Sequence, residues 1–527
     1  MKKRQFRFLS LFLTALTLAL SLSCAFVPRA CAAAADVVPA GLLEDLQFAV
    51  STGATQVDVA SYKVELSEKT KSAISASVFD ETPELFYVEA PLTFAYNPQN
   101  NQIMQILVDY RLTPEEYTEQ IDAVEEAADE LLEGIAGNGA LSDVQKALLV
   151  HDRLAVLCEY DAAVNTKEGA GPNVRNLYGV LVEHKAVCEG YARAYNYLLA
   201  KVGIRCEKVD SDQLNHSWNM VYIDGKPYHV DVTRDDPMPD RTGLVCHNYF
   251  LLSSEALYRE GHVAKDYDTS PKDTKYDNAF WRNSFSPFVM ARGVIFYIDS
   301  ADGALMTYDR KKLLSIPDSW GYSEGTRKFR CLSRLATDGT DLFYNGTKDV
   351  LRYDIGTGKT EKVFSPADTS GKKLIFGFTW RNGRFICDFM ESPDRYEMEE
   401  KSAYQVTKAY AAHVHTWDKG KVVDDGTVSG VKKTDYTCTV CGAIHIEETT
   451  VAKQGPAPGD VNGDGEVTAA DARLALRASV GLEKEIRKGT DAFTASDVNR
   501  DGVIGADDAR LILRASVRLE NLSSLGK

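Results

Sequence analysis

The stretch KAVCEGYARAYNYLLAKVG (185–203), followed by HSWNMVYIDGKPYHVDVT (216–233), decides the reading of this chain. In the first segment Tyr191, Ala192, Tyr195, Leu198, Leu199 and Val202 recur with the period of a helix. That spacing predicts a helix opening at Cys188 and running to Val202, with Gly203 ending it. A thiol at a helix N-terminus feels the positive end of the macrodipole, which favours the thiolate. The second segment predicts a hairpin turning on Asp224-Gly225. If Ile223 faces Lys226, His216 lies opposite Thr233, and Asp231 becomes its diagonal neighbour on the same face. An imidazole would then sit beside a carboxylate able to fix its tautomer. With Cys188 added, the parts of an activated-thiol acyl-transfer site are present: Cys188 as nucleophile, His216 as base and Asp231 as orienter. Taken singly, each residue reads more simply as a buried structural cysteine or a surface hairpin; the three motifs together favour the site.

These motifs resemble those of the transglutaminase-like superfamily. VCEGYA (187–192) matches V-C-x-G-Y-A, HSWN (216–219) matches H-x-W-N, and YHVDVT (228–233) is like Y-x-V-D-x-T. The resemblance covers roughly 140–255, from the His151-Asp152 helix to HNYFLLSS (247–254). It implies a papain-like α+β core with Cys188, His216 and Asp231 as a catalytic triad acting on a protein or peptide substrate. The superfamily includes both peptidases and cross-linking enzymes, so the resemblance leaves the acyl acceptor open. Hydrolysis of a peptide or amide bond is favoured, because transamidation needs a site that holds an amine and excludes water, and no segment announces one. A cross-linking enzyme, or an inert transglutaminase fold in a surface adhesion protein, stays as the alternative. Arg234 departs from the pattern, since many relatives carry Trp there, and it is expected to alter the cleft wall. The Cys188 backbone N–H is a natural oxyanion donor.

Outward from this core the expected organisation is multidomain α+β. Residues 36–140 form an N-terminal α+β region, and 141–265 the transglutaminase-like domain. Thr113-Pro114-Glu115-Glu116 is a helix start with a capping box, and Ser142 with Gln145 is a second. The helix after Ser142 carries Val144, Leu148, Ala155 and Cys158 on one apolar face, and His151 falls there too, which reads as a packed core histidine. From 280 to 405 strands dominate. Phe296-Tyr297 and Phe343-Tyr344 head two similar strand-turn-strand units and GRFICDF (383–389) could begin a third, so a β-rich, blade-like domain is expected, too short in blades to close a propeller.

Residues 411–450 form a small module containing HTW and CTVCG. His415, Cys438, Cys441 and His445 offer a zinc set, with a redox or disulfide pair at Cys438-Cys441 as the open alternative. Residues 457–522 hold an internal duplication, DVNGDGEVTAADARLALRASVGLE (460–483) and DVNRDGVIGADDARLILRASVRLE (497–520). Each copy opens as a calcium loop with Gly at position six. The first offers Asp460, Asn462, Asp464, the Glu466 carbonyl and Asp471. The second offers Asp497, Asn499, Asp501, the Val503 carbonyl and Asp508. Only the exiting helix of each loop is expected. The duplicated loop-helix unit resembles a type I dockerin, which implies two calcium ions and calcium-dependent docking onto a cohesin of a cellulosome-type scaffold.

Length and charge agree with this division. At 527 residues the chain exceeds what one core supports. A formal charge of −16 disfavours nucleic acid as partner. Residues 1–32 read as a basic, apolar and small-residue secretory signal, so the expectation is a secreted protein, extracellular or cell-surface through its scaffold, with no membrane association after signal removal. The cysteines are sparse for a disulfide-built scaffold.

Overall fold

The computed structural model describes residues 38–522, apart from 167–168, 239, 324–327, 367–373, 382, 391–404, 410–415, 425–430, 440–443, 451–456, 464–466 and 517–521. The expected signal lies outside the described residues. Among the described residues no helix is long and apolar enough to cross a membrane. The fold mixes helices with several separate sheets. The chain divides into two compact units, the first running to His415 and the second holding Thr416–Thr439 and Ile444 onward.

In the first unit the N-terminal part has its own core. Helices Ala40–Ser51 and Glu68–Phe79 cover an antiparallel sheet in the order Gln56–Asp58, Gln102–Leu107, Thr93–Asn97, with Leu42, Leu46, Ile74, Ile103 and Ile106 buried between them. Both predicted capping boxes form. Thr113 with Glu116 opens Pro114–Leu131, and Ser142 with Gln145 opens Asp143–Leu157.

The helix at Cys188 runs Cys188–Lys201 and rests on an antiparallel sheet of Cys206–Ser211, His216–Ile223 and Lys226–Val230. Its approach to the neighbouring chain is close at Gly190. A Cβ there would meet the Val174 carbonyl oxygen at 2.4 Å and the Ala186 Cβ at 3.0 Å, so the glycine of VCEGYA is a packing requirement. Tyr195 donates to the Ala147 carbonyl (2.9 Å) and the Asn219 amide to the Ala192 carbonyl (2.8 Å), tying the helix to its neighbours on both sides.

The β-rich region starts with two four-stranded meanders. One comprises Val289–Ala291, Val294–Asp299, Ala304–Thr307 and Lys312–Ser315, and the other Leu335–Thr337, Leu342–Asn345, Val350–Asp354 and Lys359–Phe364. The two aromatic pairs occupy the second strand of each. GRFICDF falls within a third sheet of three strands, Leu374–Arg381, Arg384–Met390 and Gln405–Ala409. The boundary expected between 265 and 280 is not a gap in packing. Phe288, Ile295 and Tyr297 of the first meander share one core with Leu149, Tyr195, Tyr228 and Phe250. The Phe288 backbone N–H also donates to the buried carboxylate of Asp152 (2.5 Å).

In the second unit Lys421–Asp424, Val431–Thr437 and Ile444–Thr450 form a three-stranded sheet, and helices Ala469–Ser479 and Ala506–Ser516 pack over Val461, Ala475, Val498 and Ile512. Each loop has its exiting helix, and a short helix Asp491–Ser496 precedes the second loop.

Candidate active site and metal loops

The hairpin pairs in the register the sequence indicates, Ile223 with Lys226 and Asn219 with Val230. Pairing stops at Val230, and Asp231 leaves the strand as the N-cap of Val232–Asp235, its Oδ1 accepting the Arg234 backbone N–H (3.1 Å). That turn aims Oδ2 back at the hairpin. His216 Nε2 lies 2.7 Å from Asp231 Oδ2, which leaves Nδ1 for the thiol of Cys188. Cys188 is half-buried, hydrogen-bonds to the His216 ring and accepts from the Ser217 backbone N–H. The structure therefore brings the three predicted residues together.

Their charges are matched to the task. Burial raises the Cys188 thiol, but its hydrogen bond to His216, the imidazolium charge and the Ser217 amide outweigh it, and the pKa falls below the ordinary thiol value. Burial acts against the His216 cation, yet the Asp231 charge and hydrogen bonds to Asp231 and Cys188 lift its pKa to about 9. Burial likewise opposes the Asp231 anion, and His216 and then His262 hold it well below the usual carboxylate range. A thiolate–imidazolium pair is the state this arrangement favours at neutral pH. The contrast with other thiols is large, since burial drives Cys158, Cys246, Cys331 and Cys387 upward.

Two features of this site escape the sequence. His262, buried to 2 %, places Nε2 at 2.8 Å from the same Asp231 Oδ2 that His216 uses. Trp218 lies over the His216 ring, 5.8 Å between centroids and 22° between planes, and packs edge-on to His262 at 4.9 Å. Behind it, Trp218 Nε1 donates to His229 Nδ1 (3.1 Å), and His229 Nε2 meets Ser254 Oγ at 3.0 Å. His262 follows the helix Ser254–Arg259 by a bend, where no period or spacing in the sequence points back to Asp231. The second feature concerns His151. It is buried, but it is polar in its contacts, with Nδ1 at 2.7 Å from Asp152 Oδ1 and Nε2 at 3.3 Å from Asp235 Oδ2, a separation for charge attraction rather than an aligned hydrogen bond. His247 Nε2 joins Asp152 at 3.0 Å while its Nδ1 faces the Ser284 carbonyl. Both groups, His151-Asp152-His247 and His216-Asp231-His262, have a spacing that a metal ion could use, but their nitrogens already hydrogen-bond the carboxylates.

The calcium-loop residues also converge where they are described. In the first loop Asp471 is buried, with Oδ1 accepting from the Val461 and Asn462 amides and Oδ2 from Thr468, while Asp460 Oδ1 accepts from Gly463 (2.8 Å). Asp464 and Glu466 lie outside the described residues. In the second loop Asp497 accepts from the Asp501 and Gly502 amides, Asp501 from Val503, and buried Asp508 from Asn499 and Gly505. Gly463 and Gly502 take positive φ, 75° and 83°, as position six of such a loop requires. Carboxylates gathered around a tight turn are an oxygen-rich donor set of the kind calcium takes.

His415 and Cys441 lie outside the described residues, and of His445 only its place in strand Ile444–Thr450 is described. Cys438 is buried and bridges to Trp417. The other cysteines among the described residues, Cys158, Cys188, Cys206, Cys246, Cys331 and Cys387, form no disulfides.

Comparison with known proteins finds a family match and distant relatives. Residues 458–515 match the dockerin type I domain, a calcium-binding module that pairs with cohesins and occurs in extracellular cellulosome components. Kyphoscoliosis peptidase of Mus musculus is 24 % identical over 144 residues, 23 % of this chain and 21 % of that protein. The chain thus spans about a fifth of that curated relative's length. Among solved structures, a crystal structure of a TGase is similar with 18 % identity and a TM-score of 0.20, covering 33 % of this chain and 49 % of that one. The chain accordingly has transglutaminase-like homologues and a dockerin match at its carboxy-terminal end.

Proposed function

We propose that the chain is an exported cysteine acyl-transfer enzyme of the transglutaminase-like kind, that its net reaction is hydrolysis of a peptide or amide bond, and that its dockerin region attaches it to a scaffold cohesin through two calcium-filled loops. The observation that carries the reading is the pairing of a lowered Cys188 thiol with a His216 ring held by Asp231. In the proposed cycle Cys188 Sγ attacks the substrate carbonyl carbon. The developing oxyanion faces the Cys188 backbone N–H at the open end of its helix. His216 hands its proton to the departing amine, which leaves a thioester on Cys188. Water, deprotonated by His216, then attacks that carbonyl, releasing the acid and returning the proton to the pair. Asp231 keeps the ring oriented throughout. Asp460, Asn462, Asp471, Asp497, Asn499, Asp501 and Asp508, with Asp464 and the carbonyls of Glu466 and Val503, would hold the calcium ions, whose charge would offset the gathered carboxylates and let the two helices be presented for docking. At 411–450 we propose one zinc on His415, Cys438, Cys441 and His445.

The test offers a glutamine-containing protein and a fluorescent primary amine, and follows new N-termini, ammonia and amine incorporation separately. New N-termini, or ammonia released in excess of the amine incorporated, that vanish in Cys188→Ala support hydrolysis. Cys188-dependent amine incorporation without new N-termini would establish a cross-linking enzyme instead. A Cys188 thiol alkylated no faster than Cys158 or Cys387 would mark an inert fold.

A further inference from the structure

Behind the triad carboxylate lies a second set of charged groups that the proposed reaction does not use. The turn Val232–Asp235 starts from Asp231, whose Oδ2 holds His216, and ends on Asp235. Its backbone closes from the Asp235 N–H to the Asp231 carbonyl (3.2 Å). Tyr249 straps both ends, its carbonyl accepting the Asp231 N–H (3.0 Å) and its N–H donating to the Asp235 carboxylate (3.0 Å). The aim of Asp231 at His216 is therefore tied to where the Asp235 carboxylate sits.

That carboxylate meets His151 of the helix Asp143–Leu157, Nε2 to Oδ2 at 3.3 Å. The other ring nitrogen, Nδ1, lies 2.7 Å from Asp152 Oδ1. Asp152 is held in turn by the Phe288 N–H (2.5 Å) and by His247 Nε2 (3.0 Å). All four of these charged side chains are buried. A neutral imidazole has one N–H and one lone pair, so a ring with a carboxylate at each nitrogen carries both protons. Burial acts against that cation, but Asp152 and Asp235 lift the His151 pKa to about 9. Burial also pushes the Asp235 carboxyl up, and the contact with His151 is the largest influence opposing it. Around the ring stand His247, Tyr195 and Phe250, at 5.6, 6.3 and 5.2 Å between centroids. Asp236, next along the chain, turns to the Tyr191 hydroxyl (2.5 Å).

We propose that His151 is a positioning residue of the Cys188 site: by bridging Asp152 to Asp235 across the back of the turn, it keeps the Asp231 carboxylate in line with His216. The proposal rests on the acyl-transfer reading of Cys188, and His151 acts through Asp235 rather than on the reacting atoms. Without the bridge two buried carboxylates flank an emptied site, and the turn loses its anchor. An Asp231 carboxylate moved off its line gives the His216 cation less support, so the His216 pKa falls from its raised value.

The pH dependence of Cys188 alkylation by iodoacetamide on the full chain tests this without a substrate. In the wild type the rate should rise in two steps. The lower step marks ionisation of the thiol, and the upper, near pH 9, marks loss of the His216 proton that restrains the thiolate. His151→Leu and Asp235→Ala should each move the upper step down by about 1 in pH. Asp235→Asn keeps an acceptor for the Tyr249 amide and a partner for the ring, and should leave the step within about 0.3. Leu149→Ala opens a cavity beside the same helix and removes no group of the bridge. It should lower the melting temperature yet leave the step in place, so lost stability alone does not imitate the effect. If His151→Leu fails to fold, the two Asp235 variants carry the test. An upper step unmoved in folded His151→Leu or in Asp235→Ala, or moved as far in Asp235→Asn, would overturn the positioning role. A wild type without the upper step would instead strike the Cys188–His216 ion pair, and this inference with it.

Discussion

His216 Nε2 and His262 Nε2 converge on one oxygen of Asp231, and two expectations follow from that sharing. The first is a pH profile. The Cys188 thiol is held below its usual range and the His216 cation persists to about pH 9. The reactive ion pair is therefore populated between those limits. Turnover should fall on the acid side only below the ordinary thiol range, and on the alkaline side near pH 9, where His216 loses the proton the leaving amine needs. A plot of kcat/KM against pH checks both limbs. The second concerns His262 as a positioning residue. Removing one hydrogen bond to a buried charge costs roughly 1.5–3 kcal/mol, so His262→Phe should lower kcat by about tenfold to hundredfold. It should also move the alkaline limb upward, because an Asp231 with fewer donors pulls harder on the His216 cation. His262→Gln, which keeps an N–H donor, should recover most of the loss. A Phe variant with wild-type kcat and limb positions would show that His262 only packs. Cys188 and the hairpin register were legible in sequence because thiol and helix start are adjacent and a two-residue turn sets the pairing. The pairing ends at Val230, however, so Thr233 does not face His216 and Asp231 reaches the ring from the N-cap of the next turn. His262 was not legible, because it reaches Asp231 across a bend from a different element.

At the scale of elements, the helix Cys188–Lys201 stands on the close contact at Gly190. A methyl group there would press on the Val174 carbonyl oxygen at 2.4 Å, with Val180 and Ala186 behind it. Gly190→Ala should destabilise the fold by about 1–3 kcal/mol, as overpacking does, and shift the nucleophile off its line with His216. Thermal unfolding together with Cys188 alkylation rates would register both. Periodicity exposed this helix, both capping boxes and the paired meander strands, since each is written in local spacing. It reduced His151 to a packed core residue, because a helix face shows only that a side chain points inward. The carboxylates it meets come from its neighbour Asp152 and from Asp235 on a separate turn. The loop-helix pair near the carboxy-terminus is legible for another reason, namely that the duplication prints the same ligand spacing twice.

Across the whole molecule, the Cys188 region and the dockerin-like loop-helix region have separate cores. The loops gather several carboxylates around each turn, so without cation their mutual repulsion works against folding. Chelation should loosen residues 457–522 and abolish capture by a cohesin, while leaving Cys188 alkylation within about twofold of its calcium-loaded rate. Hydrogen exchange of the full chain and a pull-down with and without chelator measure these together. Cohesin capture that survives chelation would remove the calcium switch. The boundary between the catalytic and meander regions was drawn in sequence where strand signals begin. Such signals report pairing, not which core a strand buries its face against, and so the shared packing of Phe288 and Tyr297 with Tyr195 went unseen.

The Phe288 amide that meets Asp152 has a practical corollary for anyone wishing to transplant the catalysis. A fragment ended at residue 265 keeps every triad side chain yet strips a buried carboxylate of one donor and bares the apolar flank that Phe288, Ile295 and Tyr297 cover. Such a fragment should be recovered as an aggregate, whereas one that keeps the meanders packed on that flank, the first on the helix and hairpin and the second on the first, should be soluble and labelled at Cys188. The smallest portable unit that holds Cys188, His216 and Asp231 in place is therefore larger than the motifs that advertise it.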